Sequence, residues 1–272
     1  MRVALIQFTA GDDPAANLGP LRDMVRQAAQ DGAEFVLTPE VSNIISTSRR
    51  HQQDALHHEQ DDPTLAALRY EAHALGIWLL IGSLALKTDD PDGRFANRSF
   101  MISPLGDIVA RYDKIHMFDV QIDEAESYRE SAGYRPGDRA VVAETEFCPI
   151  GMTICYDMRF PHLYRALAKA GAQIITVPAA FSPVTGAAHW ESLLRARAIE
   201  NGVFILAPAM CGQHGPKRST YGHSLVVSPW GEVLADAGVA PGITMVDLDL
   251  ADVGRSRQRV PSLTHDREFK GP

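Results

Sequence analysis

Pro149-Ile150-Gly151-Met152-Thr153-Ile154-Cys155 runs directly into Tyr156-Asp157-Met158-Arg159-Phe160-Pro161, and this junction sets the architecture of the chain. The first seven residues form a short apolar run without strict alternation, which suits a strand covered on both faces. Pro161 then supplies the fixed φ favoured at the first position of a helix. The unit is therefore a buried strand that turns into a helix, with a thiol at the turn. Downstream, residues 173–177 and 203–207 read as strands, 189–201 as a strongly periodic helix, and 224–228 with 233–234 as a hairpin around Pro229-Trp230-Gly231. The first half has the same rhythm. Residues 2–8 make a strand passing from sheet edge to core. Ala15, Leu18, Leu21, Val25, Ala28 and Ala29 give one apolar helical face up to Gly32, and 34–38 is a second buried strand. Asp62-Pro63 opens a helix to about Leu75, and 77–81, 100–102 and 107–111 follow as strands separated by turns at Asp92-Gly93 and Leu105-Gly106. Strands and helices interleave throughout, which predicts an α/β fold with largely buried sheets.

The 272 residues, 45% of them apolar, suffice for a substantial core, and no low-complexity linker divides them, so residues 1–272 are read as a single domain. The polar stretch 119–139 reads as an active-site loop, and the basic tail from about Asp252 as a peripheral or subunit-contacting segment. Net charge is -8 and the 26 basic residues are scattered, which argues against nucleic acid as a partner. No run approaches the ~20 apolar residues of a membrane span, and the N-terminus lacks signal-peptide features, so a cytoplasmic protein without a membrane partner is expected. Cys148, Cys155 and Cys211 fit neither a disulfide framework nor metal hooks, and the ten histidines include no His-Glu-x-x-His pair. No metal is expected.

Three polar residues stand just past expected buried strands, where open α/β folds gather chemistry. Glu40 follows Phe35-Val36-Leu37-Thr38-Pro39. Burial there raises the proton affinity of a carboxylate and suits it to general-base work; the plain alternative is a strand-end cap or ion pair. Cys155 sits at a helix start, which lowers thiol pKa, against the alternative of a buried structural cysteine. Cys148 fits that alternative better, and Cys211 could pair with His214. Lys114, past the strand ending at Arg111, could hold an oxyanion or be a solvated surface charge.

These residues occur as Pro39-Glu40, Asp113-Lys114-Ile115-His116 and Ile154-Cys155-Tyr156-Asp157, in the order and settings of the Glu, Lys and Cys of the nitrilase, or carbon–nitrogen hydrolase, superfamily, which the chain resembles. Further likeness lies in Thr185-Gly186, His189-Trp190-Glu191, residues 194–200, Tyr221-Gly222-His223-Ser224 and Pro229-Trp230-Gly231, so it touches nearly the whole chain. It is closest in the branch of deaminated glutathione amidases and omega-amidases. Residues 209–215 before Lys217-Arg218 favour the former; Glu40-Val41-Ser42-Asn43 departs from the aromatic-containing sequence the family carries there.

The resemblance implies a four-layer αββα sandwich, doubled to αββααββα across a homodimer or contained in a higher oligomer. It also implies a cysteine hydrolase that cleaves a primary amide of a small carboxylate-bearing molecule through a thioester. Glu40 is the implied base, Cys155 the nucleophile, and Lys114 with the Tyr156 N–H the oxyanion donors. Glu130, in Tyr128-Arg129-Glu130-Ser131 ahead of Pro136-Gly137, matches the family's second glutamate, with Glu126 as a poorer alignment. Phe181 and Thr185 match ligand-facing positions, with core packing the alternative for Phe181. Arg159 could bind a substrate carboxylate at two points or form an ion pair. The scheme needs no cofactor, and neither a Gly-x-Gly-x-x-Gly turn nor a phosphate loop is present. Its rivals are an omega-amidase acting on 2-oxoglutaramate or 2-oxosuccinamate, a nitrilase, a hydrolase built on Cys211 and His214, and an inactive binding protein.

Overall fold

The computed structural model describes residues 1–122, 127–216 and 218–271. In chain order the first half contributes β1 (Arg2–Gln7), α1 (Pro14–Gln30), β2 (Phe35–Leu37), α2 (Arg49–Ala55), α3 (Pro63–Leu75), β3 (Trp78–Leu86), β4 (Ala96–Ile102) and β5 (Ile108–Asp113). A small antiparallel pair, β6 (Asp119–Gln121) and β7 (Ser127–Arg129), links it to the second half. There follow β8 (Val141–Ala143), β9 (Ile150–Met152), α4 (Pro161–Lys169), β10 (Ile174–Thr176), α5 (Pro183–Asn201) and β11 (Phe204–Ala207). The chain then runs through β12 (Cys211–Gln213), β13 (Ser219–Tyr221), β14 (Leu225–Val227), β15 (Val233–Asp236), β16 (Gly242–Asp247) and α6 (Ala251–Arg259).

Two six-stranded sheets result, ordered β16-β1-β2-β3-β4-β5 and β15-β14-β11-β10-β9-β8. Each has three parallel strands at its heart, because β1, β2 and β3, like β9, β10 and β11, are joined through helices. The pleat then builds the layers. In β1, Val3 and Leu5 face the other sheet and join a core that includes Ile150, Met152 and Ile174. Ala4 and Ile6 point the opposite way, onto Leu21, Val25 and Ala28 of α1 and Leu68 and Ala72 of α3. On the far side, Leu163 and Leu167 of α4 and Trp190 and Leu194 of α5 cover the second sheet.

Local signals set most of the ends. Asp13 caps α1 and Asp62 caps α3, its carboxylate accepting from Leu65 N–H at 2.8 Å, and each is followed by proline; Gly76 closes α3 in the left-handed region. Four expectations change. β1 is an interior strand, since β16 pairs along its outer side. β5 is a partly exposed edge, with Tyr112 its buried residue, so Lys114 does not leave a buried strand. The helix expected from 189 starts at Pro183. Gly186 lies within it, and glycine is required there because the ring of Tyr221 packs where a side chain would stand, 2.3 Å from an added Cβ. Third-strand β3 extends to Leu86, well past 81.

Gly82 of β3 packs tightly against both sheets near the residues that carry Glu40 and Cys155. An added Cβ would lie 2.0 Å from the Thr38 carbonyl oxygen, 2.5 Å from that of Pro39 and 2.6 Å from Pro178 Cβ. Thr38-Pro39 leads into Glu40, and the Pro178 carbonyl accepts from the Cys155 N–H at 2.9 Å. Backbone cannot yield cheaply there. Gly82→Ala is expected to lower unfolding free energy in urea by at least about 1–3 kcal/mol, the cost of overpacking a tight interior; an unchanged midpoint would contradict this packing.

Candidate active site

Glu40, Lys114 and Glu130 meet in one buried cluster. Lys114 Nζ donates to Glu40 Oε1 at 2.8 Å and to both oxygens of Glu130 at 2.9 Å. Glu40 Oε1 also accepts from Asn97 Nδ2 at 2.9 Å, while Oε2 accepts from the Ala180 N–H at 2.8 Å; the neighbouring Cys155 thiol favours the ionised form of the same carboxylate. Glu130 takes a further bond from the Phe118 N–H at 2.6 Å. Lys114 and Glu40 are 2% and 4% exposed, so each charge depends on these partners instead of water. The turn after Glu40 is held from β3: the Ser83 hydroxyl accepts from the Val41 N–H at 2.8 Å, and Asn43 pairs with the Ala85 backbone in both directions. This is how the chain fills the segment that lacks an aromatic residue. Val41 and Cys155 both have positive φ, at 47° and 49°, a costly state for side chains with a Cβ.

Cys155 opens a five-residue 3-10 turn, Cys155–Arg159, and Asp157 two residues on is wholly buried. Its carboxylate accepts from the Tyr112 hydroxyl at 2.7 Å, the His116 N–H at 3.0 Å and the Ile154 N–H at 2.9 Å, with His116 Nδ1 at 2.7 Å. One carboxylate thus ties the segment carrying Lys114 to the one carrying Cys155. The His116 ring stacks on Phe160, centroids 3.5 Å apart, closing the same joint. Sequence reading quoted His116 and Asp157 inside motifs but gave them no work. It missed Asn97, which looks like any strand residue.

The two proton affinities run opposite to expectation. Burial raises that of Glu40, but the charge and hydrogen bond of Lys114, with the bonds from Cys155 and Ala180, outweigh it and hold the carboxyl below its ordinary range. For Glu130, burial and the Glu40 charge prevail over Lys114 and push it up. Burial first, then the negative charge of Glu40, lifts the Cys155 thiol well above the usual range, since a single short turn has too little dipole to compensate. The resting pair is a thiol beside a carboxylate. Cys148 is raised to about 11 by burial and by Glu144.

Glu40, Lys114, Glu130, Cys155 and Phe181 line one cavity of about 640 Å³, within the span usual for small-molecule sites. Tyr156, Arg159 and Thr185 are not on its wall. The Tyr156 ring packs against Phe118 and Phe160, Arg159 reaches His189 Nδ1 at 3.2 Å, and the Thr185 hydroxyl is turned back to the Ser182 carbonyl. The Arg159 guanidinium also lies 5.5 Å from the Phe181 ring centroid, just behind the cavity wall, whose own arginines are Arg49, Arg129 and Arg218. His214 spends its nitrogens on the Ala10 carbonyl and the Thr220 hydroxyl, both at 2.7 Å, and Cys211 lies buried against Thr9, so the two do not form a pair. Glu126 and Lys217 lie outside the described residues. Among those described, no group of three or more His, Cys, Asp or Glu is arranged to hold a metal, and no helix is long and apolar enough to cross a membrane.

The model of the family described as Carbon-nitrogen hydrolase matches residues 2–258. The chain belongs to the carbon–nitrogen hydrolase family. It is a hydrolase of non-peptide carbon–nitrogen bonds with the nitrilase-like αββα sandwich. A Yersinia enterocolitica protein named deaminated glutathione amidase is 40% identical over 97% of this chain and 92% of its own length. Among solved structures, the Caenorhabditis elegans NitFhit protein superposes with a TM-score of 0.92 at 35% identity. That match takes in 98% of this chain but 65% of the NitFhit chain, so this chain spans about two thirds of that relative. A Saccharomyces cerevisiae member of branch 10 of the nitrilase superfamily gives 0.88 at 29%, over 99% and 97% of the two chains.

With its thiol pushed above the ordinary value of 9.0, this carbon–nitrogen hydrolase should show no thiolate absorbance from Cys155 at pH 7. The difference at 240 nm between the unaltered protein and Cys155→Ala is expected to grow only above about pH 9; a full thiolate signal at neutrality would contradict the arrangement.

Proposed function

We propose that this hydrolase is an amidase of small carboxylate-bearing amides, with deaminated glutathione as its substrate, acting through a thioester on Cys155. The observation that carries the reading is Lys114 Nζ held at 2.8 and 2.9 Å between the buried carboxylate of Glu40 and that of Glu130, with Cys155 on the wall of the same cavity. Relatives named deaminated glutathione amidase, matching over nearly the whole chain, support the substrate.

In this scheme Glu40, already ionised, accepts the thiol proton as Sγ bonds to the amide carbon, so a separate thiolate never has to exist in the buried site. The carbonyl electrons move onto oxygen. Lys114 and the Tyr156 N–H, one of the donors a helix start leaves without an intrahelical partner, hold that oxyanion. Glu40 then gives its proton to the nitrogen, the carbon–nitrogen bond breaks, and ammonia or an amine departs. Water, deprotonated by Glu40, attacks the thioester, and the acid leaves as the thiol is restored. Glu130, with the higher proton affinity, keeps Lys114 aimed and stays out of the proton transfers. Phe181 forms the apolar wall. No step calls for a cofactor.

Residues 1–272 act as one domain in this reading, because the two sheets share a core. A homodimer is supported by two exposed apolar side chains, Ile199 on α5, against which Gly231 packs, and Trp230 in the adjoining β14–β15 turn. Three free cysteines suit the reducing cytoplasm.

Turnover of deaminated glutathione, followed as cysteinylglycine released, is expected to exceed ammonia release from 2-oxoglutaramate. Glu40→Gln should cut kcat by roughly 10²–10⁴, the usual worth of a general base, and Cys155→Ala should abolish the acyl adduct seen by mass spectrometry. Activity surviving in Cys155→Ala excludes the scheme, and a preference for 2-oxoglutaramate makes the protein an omega-amidase.

A further inference from the structure

Asn97 stands in the middle of the acid cluster, and no step of the reaction scheme uses it. It is 2% exposed on β4. Its side-chain amide donates to Glu40 Oε1 at 2.9 Å and to Glu130 Oε1 at 3.4 Å, while its main-chain carbonyl accepts from the Lys114 N–H at 3.0 Å. One residue therefore touches both carboxylates and the backbone that carries the lysine. Charge settles the orientation of the amide, since turning it over would set an oxygen against two acids. Its own oxygen, Oδ1, is buried and accepts nothing among the described residues. A side chain kept for packing would not carry that unpaired acceptor, so Asn97 is held here for its N–H groups.

Those N–H groups decide which oxygen of Glu40 stays open. A carboxylate oxygen offers about two acceptor positions. On Oε1 both are filled, by Lys114 Nζ at 2.8 Å and by Asn97 Nδ2 at 2.9 Å. Oε2 accepts from the Ala180 N–H at 2.8 Å and, among the described residues, from no other N–H. The same Ala180 N–H acts on the Cys155 sulfur and favours its ionised form, and the carbonyl of Pro178, two residues earlier, accepts from the Cys155 N–H at 2.9 Å. Oε2 is thus the oxygen on the nucleophile's side, and the one with a position left for a proton.

We propose that Asn97 is a positioning residue: by filling the second acceptor position of Oε1 it confines the proton that Glu40 takes from sulfur to Oε2, the oxygen from which that proton must leave for nitrogen. This deepens the amidase reading and rests on it. With the position on Oε1 freed, a proton taken from sulfur settles there, against Lys114, and has to move again before it reaches nitrogen. The titratable groups that face Glu40 are Lys114 past β5, Glu130 and Tyr134 past β7, and Cys155 past β9. Lys114 favours the ionised acid and Glu130 opposes it, so an N–H lost from Oε1 moves the balance toward the protonated form.

The test is the pH dependence of two reactions on unaltered enzyme, N97L and N97S. One is turnover of deaminated glutathione. The other is alkylation of Cys155 by iodoacetamide, followed by mass spectrometry, in which the carbon–sulfur bond forms, iodide leaves and the thiol proton passes to Glu40. In N97L the acid limb of both profiles is expected to move up by about one pH unit, because Glu40 with a donor removed is protonated more readily and the base is lost as pH falls through its higher pKa. On the plateau above that limb kcat should fall roughly tenfold with KM changed by less than about twofold, the pattern of a group that does not bind substrate. N97S, whose hydroxyl is too short to reach Glu40, should shift in the same direction and decides the matter if N97L does not fold. An acid limb that stays in place, whether the rate is unchanged or is lowered equally at every pH as a purely structural role would give, overturns the proposal. A rise in KM with kcat unchanged overturns it as well. Should no amide be turned over, the amidase reading falls while the alkylation profile still decides on Asn97.

Discussion

The ammonium of Lys114 lies between two carboxylates, one buried and one at the partly open cavity wall, and the chemistry of the site follows from that unequal arrangement. Two acids and one base largely out of contact with water cannot all ionise without cost, so the proton affinities of Glu40 and Glu130 must part. For Glu40 the charge and hydrogen bond of Lys114, with the Ala180 N–H, outweigh burial, and it keeps its charge. Glu130 carries the penalty of burial and of its neighbour's charge. A thiol beside an ionised carboxylate is then ready to lose its proton at the moment of attack, a better arrangement in a closed cavity than a standing thiolate.

Such a cluster needs a scaffold that brings distant segments together without slack. The two sheets do so around Gly82, which leaves no room for a side chain between the carbonyls leading to Glu40 and the ring of Pro178, whose own carbonyl holds the Cys155 N–H. Asp157 supplies the second link, fastening the edge strand that delivers Lys114 to the turn that delivers Cys155. Positive φ at Val41 and Cys155 shows where backbone comfort is given up for aim.

Much of this was legible in the sequence where the signal is local. Asp13-Pro14 and Asp62-Pro63 announce helix starts because cap and proline act within a turn. The apolar runs before Glu40 and Cys155 announce buried strands because both faces are covered. What depends on tertiary contact was not legible. β16 lacks a clear period because it is only half covered, and the need for glycine at 186 arises from the ring of Tyr221, distant in the chain. Glu40 was expected to gain proton affinity from burial, and Cys155 to lose it at a helix start. Neither inference could weigh Lys114 or the mutual charge of the pair. That the Arg159 side chain would reach His189 and the Phe181 ring depends on α5 packing beside the Cys155 turn, which no local signal gives.

The dependence of Glu40 on Lys114 can be measured without turnover, by difference infrared spectroscopy near pH 6 with Glu40→Gln used to assign the bands. In the unaltered protein Glu40 should give the stretch of an ionised carboxylate, and in Lys114→Met the carbonyl band of a protonated carboxyl. A protonated Glu40 with Lys114 in place, or an ionised one without it, would contradict the account.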